Sequence, residues 1–215
     1  MDEQASPQIT LPNETKIDSR EAGKTVQAYL RDHAAVLDLY DGTNAGPHDD
    51  ILPVDLLALN ALNAYIGTAP MTPMEALWKR APSIHPFVAA ITTREIQDLS
   101  DSDVKAEIPK IVAALQEIDR TDGYGGGGTR TAKVLHRLRP NVVPIWDALV
   151  GEWYHGSTQP WDKYLQDVFR DVRRPENLKF LKSIPIPSRY GLGILRRWDI
   201  LLWKLRYDQR RGLCR

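Results

Sequence analysis

An all-α fold is what this sequence predicts, on three observations. Apolar residues recur at helical spacing along most of the chain. Helix-start signals stand before several of these runs, and few segments alternate with period two. With 215 residues and 42% hydrophobic content, the chain can bury a core as one domain or as two lobes.

Residues 1–18 are polar, contain Pro7 and Pro12, and are expected to form a mobile tail. Ser19 can cap a helix over Arg20 to Tyr40, with Val26, Leu30, Val36, Leu37 and Tyr40 as its stripe. Turn residues follow from Asp41 to Pro47. Dense Leu and Ala predict a helix from Val54 to Ile66. Thr72-Pro73-Met74-Glu75 joins an N-cap to a proline at the first helical position, so another helix starts there. Ser100 to Asp103 repeats the capping pattern before a helix reaching Asp119. Beyond a run of glycines, helices are expected at 129–138, 147–154, 161–172, 176–182 and 193–208. The last has a broad apolar face of Ile194, Leu195, Trp198, Leu201, Leu202 and Leu205. The expected lobes are residues 19–120 and 121–215, with the glycines at their junction.

Charge and cysteine content narrow the function classes. The net charge is zero, yet residues 1–120 carry 10 Lys+Arg against 19 Asp+Glu, and residues 121–215 carry 18 against 9. Such asymmetry suits a polyanion-binding face, and equally suits two halves that attract one another. A single cysteine, Cys214, excludes a disulfide framework and a Cys-ligated zinc or iron–sulfur site, and fits a reducing cytoplasm. Met1-Asp2-Glu3-Gln4 lacks the basic start and apolar run of a signal peptide. The uncharged stretch Leu56 to Met74 holds Asn60, Asn63, Gly67, Pro70 and Pro73. It reads as a buried helix and loop, and no membrane span is expected.

The stretch richest in chemistry runs from Gly125 to Leu135. Gly125, Gly126, Gly127 and Gly128 join two expected helices, where they either bring backbone close to a ligand or serve as a flexible linker. In the first case, the N–H groups opening the next helix suit a phosphate, with Thr129, Arg130, Thr131 and Lys133 beside them. No Lys-Ser/Thr pair follows the glycines and no strand precedes them, so this is not a P-loop. His136, Arg137 and Arg139 extend the basic character as further phosphate contacts or as solvated charge. Downstream, Pro140 and Pro144 bracket a short extended apolar segment that ends at Asp147, on the threshold of a helix. Most such aspartates only cap, although a carboxylate held at a helix N-terminus also suits charge-stabilising catalysis.

Together, Gly126, Gly128, Thr131, Ala132, Pro144 and Asp147 resemble the helix-hairpin-helix DNA glycosylase superfamily, with the likeness concentrated in residues 125–154. The resemblance implies a two-lobed helical fold with the active site between the lobes. It also implies double-stranded DNA as partner, a flipped base as substrate and Asp147 as catalyst. In lyase-competent members a lysine precedes Thr-Ala. Arg130 stands there in this chain and cannot act as a nucleophile, while Lys133 is one helical turn away. The implied enzyme is therefore monofunctional, excising by water, with no cofactor and no iron–sulfur cluster.

The resemblance places a base pocket between the lobes, for which the polar candidates are Asp50, Asp55, Asn60 and Asn63. These aspartates serve equally well as loop surface or as partners of a helix dipole. His48 with Asp49, Asp50 and Asp55 matches no standard metal spacing, and no metal is expected. Trp146 and Trp153 flank Asp147, either to stack on a base or to fill the core. The chain is also similar to small bacterial glycosylases of anti-phage defence, which implies hypermodified cytosine such as glucosylated hydroxymethylcytosine. Housekeeping repair of a damaged base, a non-catalytic DNA-binding module and an RNA- or nucleotide-directed enzyme are the alternatives.

Overall fold

The computed structural model describes residues 7–42, 46–62, 72–121, 127–154 and 160–212. Among these, the elements are β1 (Gln8–Thr10), β2 (Lys16–Asp18), α1 (Ser19–Asp32), α2 (Ala34–Tyr40), α3 (Pro53–Ala58), α4 (Thr72–Ala89), α5 (Asp101–Thr121), α6 (Gly127–Leu138), α7 (Ala148–Gly151), α8 (Trp161–Val172), α9 (Pro175–Ser183) and α10 (Ile194–Arg210), with three short 3₁₀ turns. The all-α expectation holds, apart from one small hairpin.

That hairpin corrects the expected mobile tail over its described residues. β1 and β2 pair antiparallel, with Ile9 opposite Ile17. Ile9 and Leu11 are buried. The Asn177 side chain clamps the edge strand, accepting from Thr10 N (2.9 Å) and donating to Thr10 O (2.8 Å). A satisfied edge and two buried apolar side chains hold this segment, although its polar composition conceals both.

Asp18, one residue before the expected cap, opens α1 by accepting from Arg20 N and Glu21 N. The single helix expected to Tyr40 breaks at His33 (φ −122°, ψ 26°), where the ring stacks on Tyr29 at 4.3 Å. Neither Pro nor Gly signals this break. α3 is short and passes into a 3₁₀ turn at Leu59–Leu62. α6 starts two residues earlier than expected, so Gly127 and Gly128 are already helical.

Helix packing runs across residue 120 as well as within each side of it. α1 packs on α10, α4 on α5, and α5 on both α6 and α8. Buried apolar side chains from α1 through α10 join one core cluster.

Charge asymmetry has a structural use as well. Acids of the first half pair with bases of the second in Arg137–Asp55, Arg139–Asp49, Arg196–Asp41, Arg173–Asp101, Arg174–Glu14 and Arg189–Asp38. In the first three pairs, the arginines are themselves buried. Attraction between the halves therefore consumes much of the positive excess that suggested a polyanion face.

Candidate functional site

Asp147 owes its position to a run of backbone carbonyls held by buried side chains. After α6, the chain turns through residues 139–142, where Val142 N and Val143 N both donate to Arg139 O. His136 donates its ring Nδ1–H to Val143 O at 2.5 Å. The Tyr164 hydroxyl donates to Ile145 O at 2.7 Å. Val142, Val143 and Ile145 are buried, so the segment cannot slip without exposing them. Asp147 then caps α7 through Oδ1 alone, which accepts from Leu149 N and Val150 N, each at 2.9 Å. Among the described residues, no hydrogen bond falls on Oδ2.

Half-buried Asp147 lines a cavity of about 100 Å³. One wall is aromatic, made by Tyr29 of α1, His33 just after it and Trp203 of α10. Trp203 meets both rings edge-on, each at 5.6 Å between centroids. Ala61, Leu62, Ile145 and Ile200 add apolar surface, and Lys133, Arg196 and Asp199 join Asp147 as charged lining. Aromatic faces beside a few fixed polar groups form a site for a small planar polar ring.

These charges are strongly biased by burial. Lys133 donates to Leu62 O (2.8 Å), and burial lowers its pKa against the opposing pull of Asp147 and Asp199. Burial pushes the Asp199 carboxyl up to about 7, although Arg196 draws it down. Arg196 binds Asp199 Oδ2 on one side and the Asp41 carboxylate on the other (Nε–Oδ1 3.0 Å). Asp199 Oδ1 is buried and carries no hydrogen bond. Beneath the site, burial and then the Arg196 charge take His136 down to about 3, so its ring is neutral.

The His136 and Asp199 shifts have opposite linkage to stability. Folded His136 refuses a proton that the unfolded chain accepts near 6.5, so it costs stability as pH falls from about 6.5 towards 3. Folded Asp199 keeps a proton that the unfolded chain releases near 3.8, so it costs stability as pH rises from about 3.8 to 7. One proton is worth about 1.4 kcal/mol per pH unit, and the two slopes offset between about 3.8 and 6.5. Urea midpoints for Asp199→Asn should therefore rise with pH over this window relative to the wild type. Parallel profiles would contradict the assignment.

The remaining expected site residues divide sharply. Gly125, Gly126 and Asn63 lie outside the described residues. Gly127, Gly128, Thr129 and Arg130 form the first turn of α6, and the last three are half-buried. Gly128 serves packing: an added Cβ would sit 2.7 Å from Trp161 Cζ2. Gly128→Ala is thus expected to destabilise by about 1–3 kcal/mol in urea unfolding, where alanine would ordinarily favour a helix. An unchanged or raised midpoint would refute the clash.

Several expected phosphate and pocket residues lie in the interior or away from the cavity. Thr131, Arg137 and Arg139 are buried and cannot meet a DNA backbone. Arg137 Nε bonds Asp55 Oδ1 at 2.7 Å, and Arg139 Nη1 bonds His48 O at 2.6 Å. Lys133 points into the cavity instead of towards a phosphate. Asp55 is an internal anchor that also accepts from Leu52 N (2.8 Å). Asp50 is exposed and bonded to His85 Nδ1 (2.8 Å), and exposed Asn60 is not among the cavity-lining residues, although its neighbours Ala61 and Leu62 are. Trp153 is core, donating to Leu202 O (2.9 Å), and Trp146 packs on Gly151 and Trp161.

Tyr29, His33, Arg196, Asp199 and Trp203 line the cavity and are not among the expected site residues. Arg196 and Asp199 had a legible signal, as two opposite charges three apart amid the apolar residues of the last helix. Among the described residues, no group of three or more His, Cys, Asp or Glu could hold a metal, and no helix is long and apolar enough to cross a membrane.

No curated protein and no solved structure matches the chain. A family model covers residues 22–206, which include the cavity and its elements, and by that match the chain belongs to DUF6308, a family of unknown function.

Proposed function

We propose that this protein is a monofunctional DNA glycosylase of the two-lobed helix-hairpin-helix type, which cleaves the N-glycosidic bond of a base flipped from double-stranded DNA and leaves an abasic site. The Asp147 carboxylate carries the reading. One of its oxygens is spent on capping α7, and the other carries no described hydrogen bond in a residue lining a cavity with an aromatic wall. Departure of a base leaves positive charge on the deoxyribose, which a fixed carboxylate stabilises while it orients the attacking water. The Tyr29, His33 and Trp203 rings are the stacking surface for the extruded base. The first turn of α6, with Thr129 and Arg130, is the phosphate contact.

Cavity size bears on the substrate. About 100 Å³ is below the ~300–1000 Å³ of larger ligand sites and suits a compact base. A glucosylated hydroxymethylcytosine would need room beyond it, so phage DNA is the competing arm of the test. Duplexes carrying deaminated, alkylated or oxidised bases, unmodified DNA and hypermodified phage DNA are incubated with the protein and then heated in alkali. Released base and alkali-labile strand breaks are expected from one class. Tight, salt-sensitive binding without release from any DNA would replace the glycosylase by a binding module.

Lys133 favours a second reading. A buried lysine of lowered pKa in the cavity of Asp147 is suited to attack C1′ as a nucleophile. Borohydride separates the two mechanisms: a trapped covalent complex lost in Lys133→Gln would make the enzyme a lyase, whereas the monofunctional reading expects none.

A further inference from the structure

Asp199 stands apart from the other charged groups of the cavity. Three carboxylates (Asp41, Asp147 and Asp199) meet two cations (Lys133 and Arg196), with Tyr29 of α1 and His33 at its C-cap facing them. An extra proton brings this cluster to neutrality, which burial favours. Hydrogen bonding shows where it belongs. Asp41 accepts from Arg196 Nε and Nη2, and Asp147 accepts two backbone N–H groups. Asp199 accepts from Arg196 Nη1 through Oδ2 only, leaving Oδ1 buried without a donor. A proton on Oδ1 turns that bare acceptor into a donor on a residue that lines the cavity.

We propose that Asp199 is the general acid of this site, delivering its Oδ1 proton to the departing base while Asp147 serves the sugar. This rests on the glycosylase reading above. As the C1′–N bond breaks, its electron pair goes to the base, and the Asp199 proton neutralises the negative charge developing there. Water adds its oxygen to C1′ and gives a proton to the Asp147 carboxylate. Asp199 ends ionised and Asp147 protonated, and exchange with solvent resets both. Two carboxyl groups in different surroundings thereby divide acid and base work.

Single-turnover excision is measured from about pH 5 to 9 on two duplexes. One carries a base that must be protonated to leave neutral, and the other carries N7-methylguanine, which leaves neutral without a proton. Wild-type excision of the first should fall as pH rises through about 7, and excision of the second should not. In Asp199→Asn, the first should drop about 100-fold or more and lose that limb, with the second changed less than about threefold. Equal losses on both duplexes, or a limb that persists in the variant, would overturn the assignment. If only the first duplex is a substrate, the limb and its loss decide alone. If the variant does not fold, the wild-type comparison of the two duplexes decides. Should the wild type release no base from these two duplexes or from any DNA named under the proposed function, the glycosylase reading falls and this role with it. A carbon-13 carboxyl titration near 7, absent in Asp199→Asn, would then show separately that the buried acid is present.

Discussion

Asp147→Asn should abolish most base excision while leaving the fold intact. Asparagine is as good an N-cap as aspartate, and its Oδ1 can keep both bonds to Leu149 N and Val150 N. Only the negative charge and the proton-accepting oxygen are lost. A charge-stabilising group combined with a general base is worth about 10²- to 10⁴-fold, so single-turnover excision should fall within that range. The urea midpoint should hardly move. Asp147→Ala adds the loss of the cap, worth about 1 kcal/mol, and separates capping from catalysis. If asparagine excises as fast as aspartate, Asp147 is a cap and nothing more.

The second large effect concerns stability. Asp55→Ala should destabilise the protein by about 3–5 kcal/mol, because it removes the carboxylate bonded to the buried Arg137 Nε. Arg137 also donates to Tyr40 O, and its charge lies 5.8 Å from the Tyr40 ring centroid, but neither contact replaces the lost anion. Domains are stable by about 5–15 kcal/mol, so the loss would show as a large drop in urea midpoint. Arg137→Met alone takes the guanidinium from Asp55, which keeps the Leu52 N donor and has His48 Nε2 3.5 Å away. The double variant, with neither charge, should be more stable than Asp55→Ala, since removing both partners avoids the uncompensated ion. A cost below about 1 kcal/mol for Asp55→Ala would show the pair to be solvated in solution.

This pair marks the limit of what the sequence made legible. Arg137 and Arg139 follow the glycine run in a basic stretch and read as phosphate contacts, yet their partners Asp55 and Asp49 lie 82 and 90 residues earlier. Local pattern cannot reveal that a distant carboxylate covers a cation. α6 is buried from Thr131 to its end at Leu138, and Arg139 after it is buried too, so polar residues here face inward beside the apolar ones. Helical spacing finds such a helix without showing what surrounds it. The same limit hid the cavity wall, which needs Tyr29 and His33 to meet Trp203 across the chain.

What the sequence determined alone was short-range: the helical class, most helix positions, and Asp147 at the head of a helix. Periodicity, capping residues and prolines act within a turn or two, so neighbouring residues suffice to read them. Tertiary structure alone decided which charges are internal, that Lys133 shares a cavity with Asp147, and that Asp199 lies there with a bare oxygen. Burial sets the ionisation of Lys133, His136 and Asp199, and burial arises only when distant elements pack together.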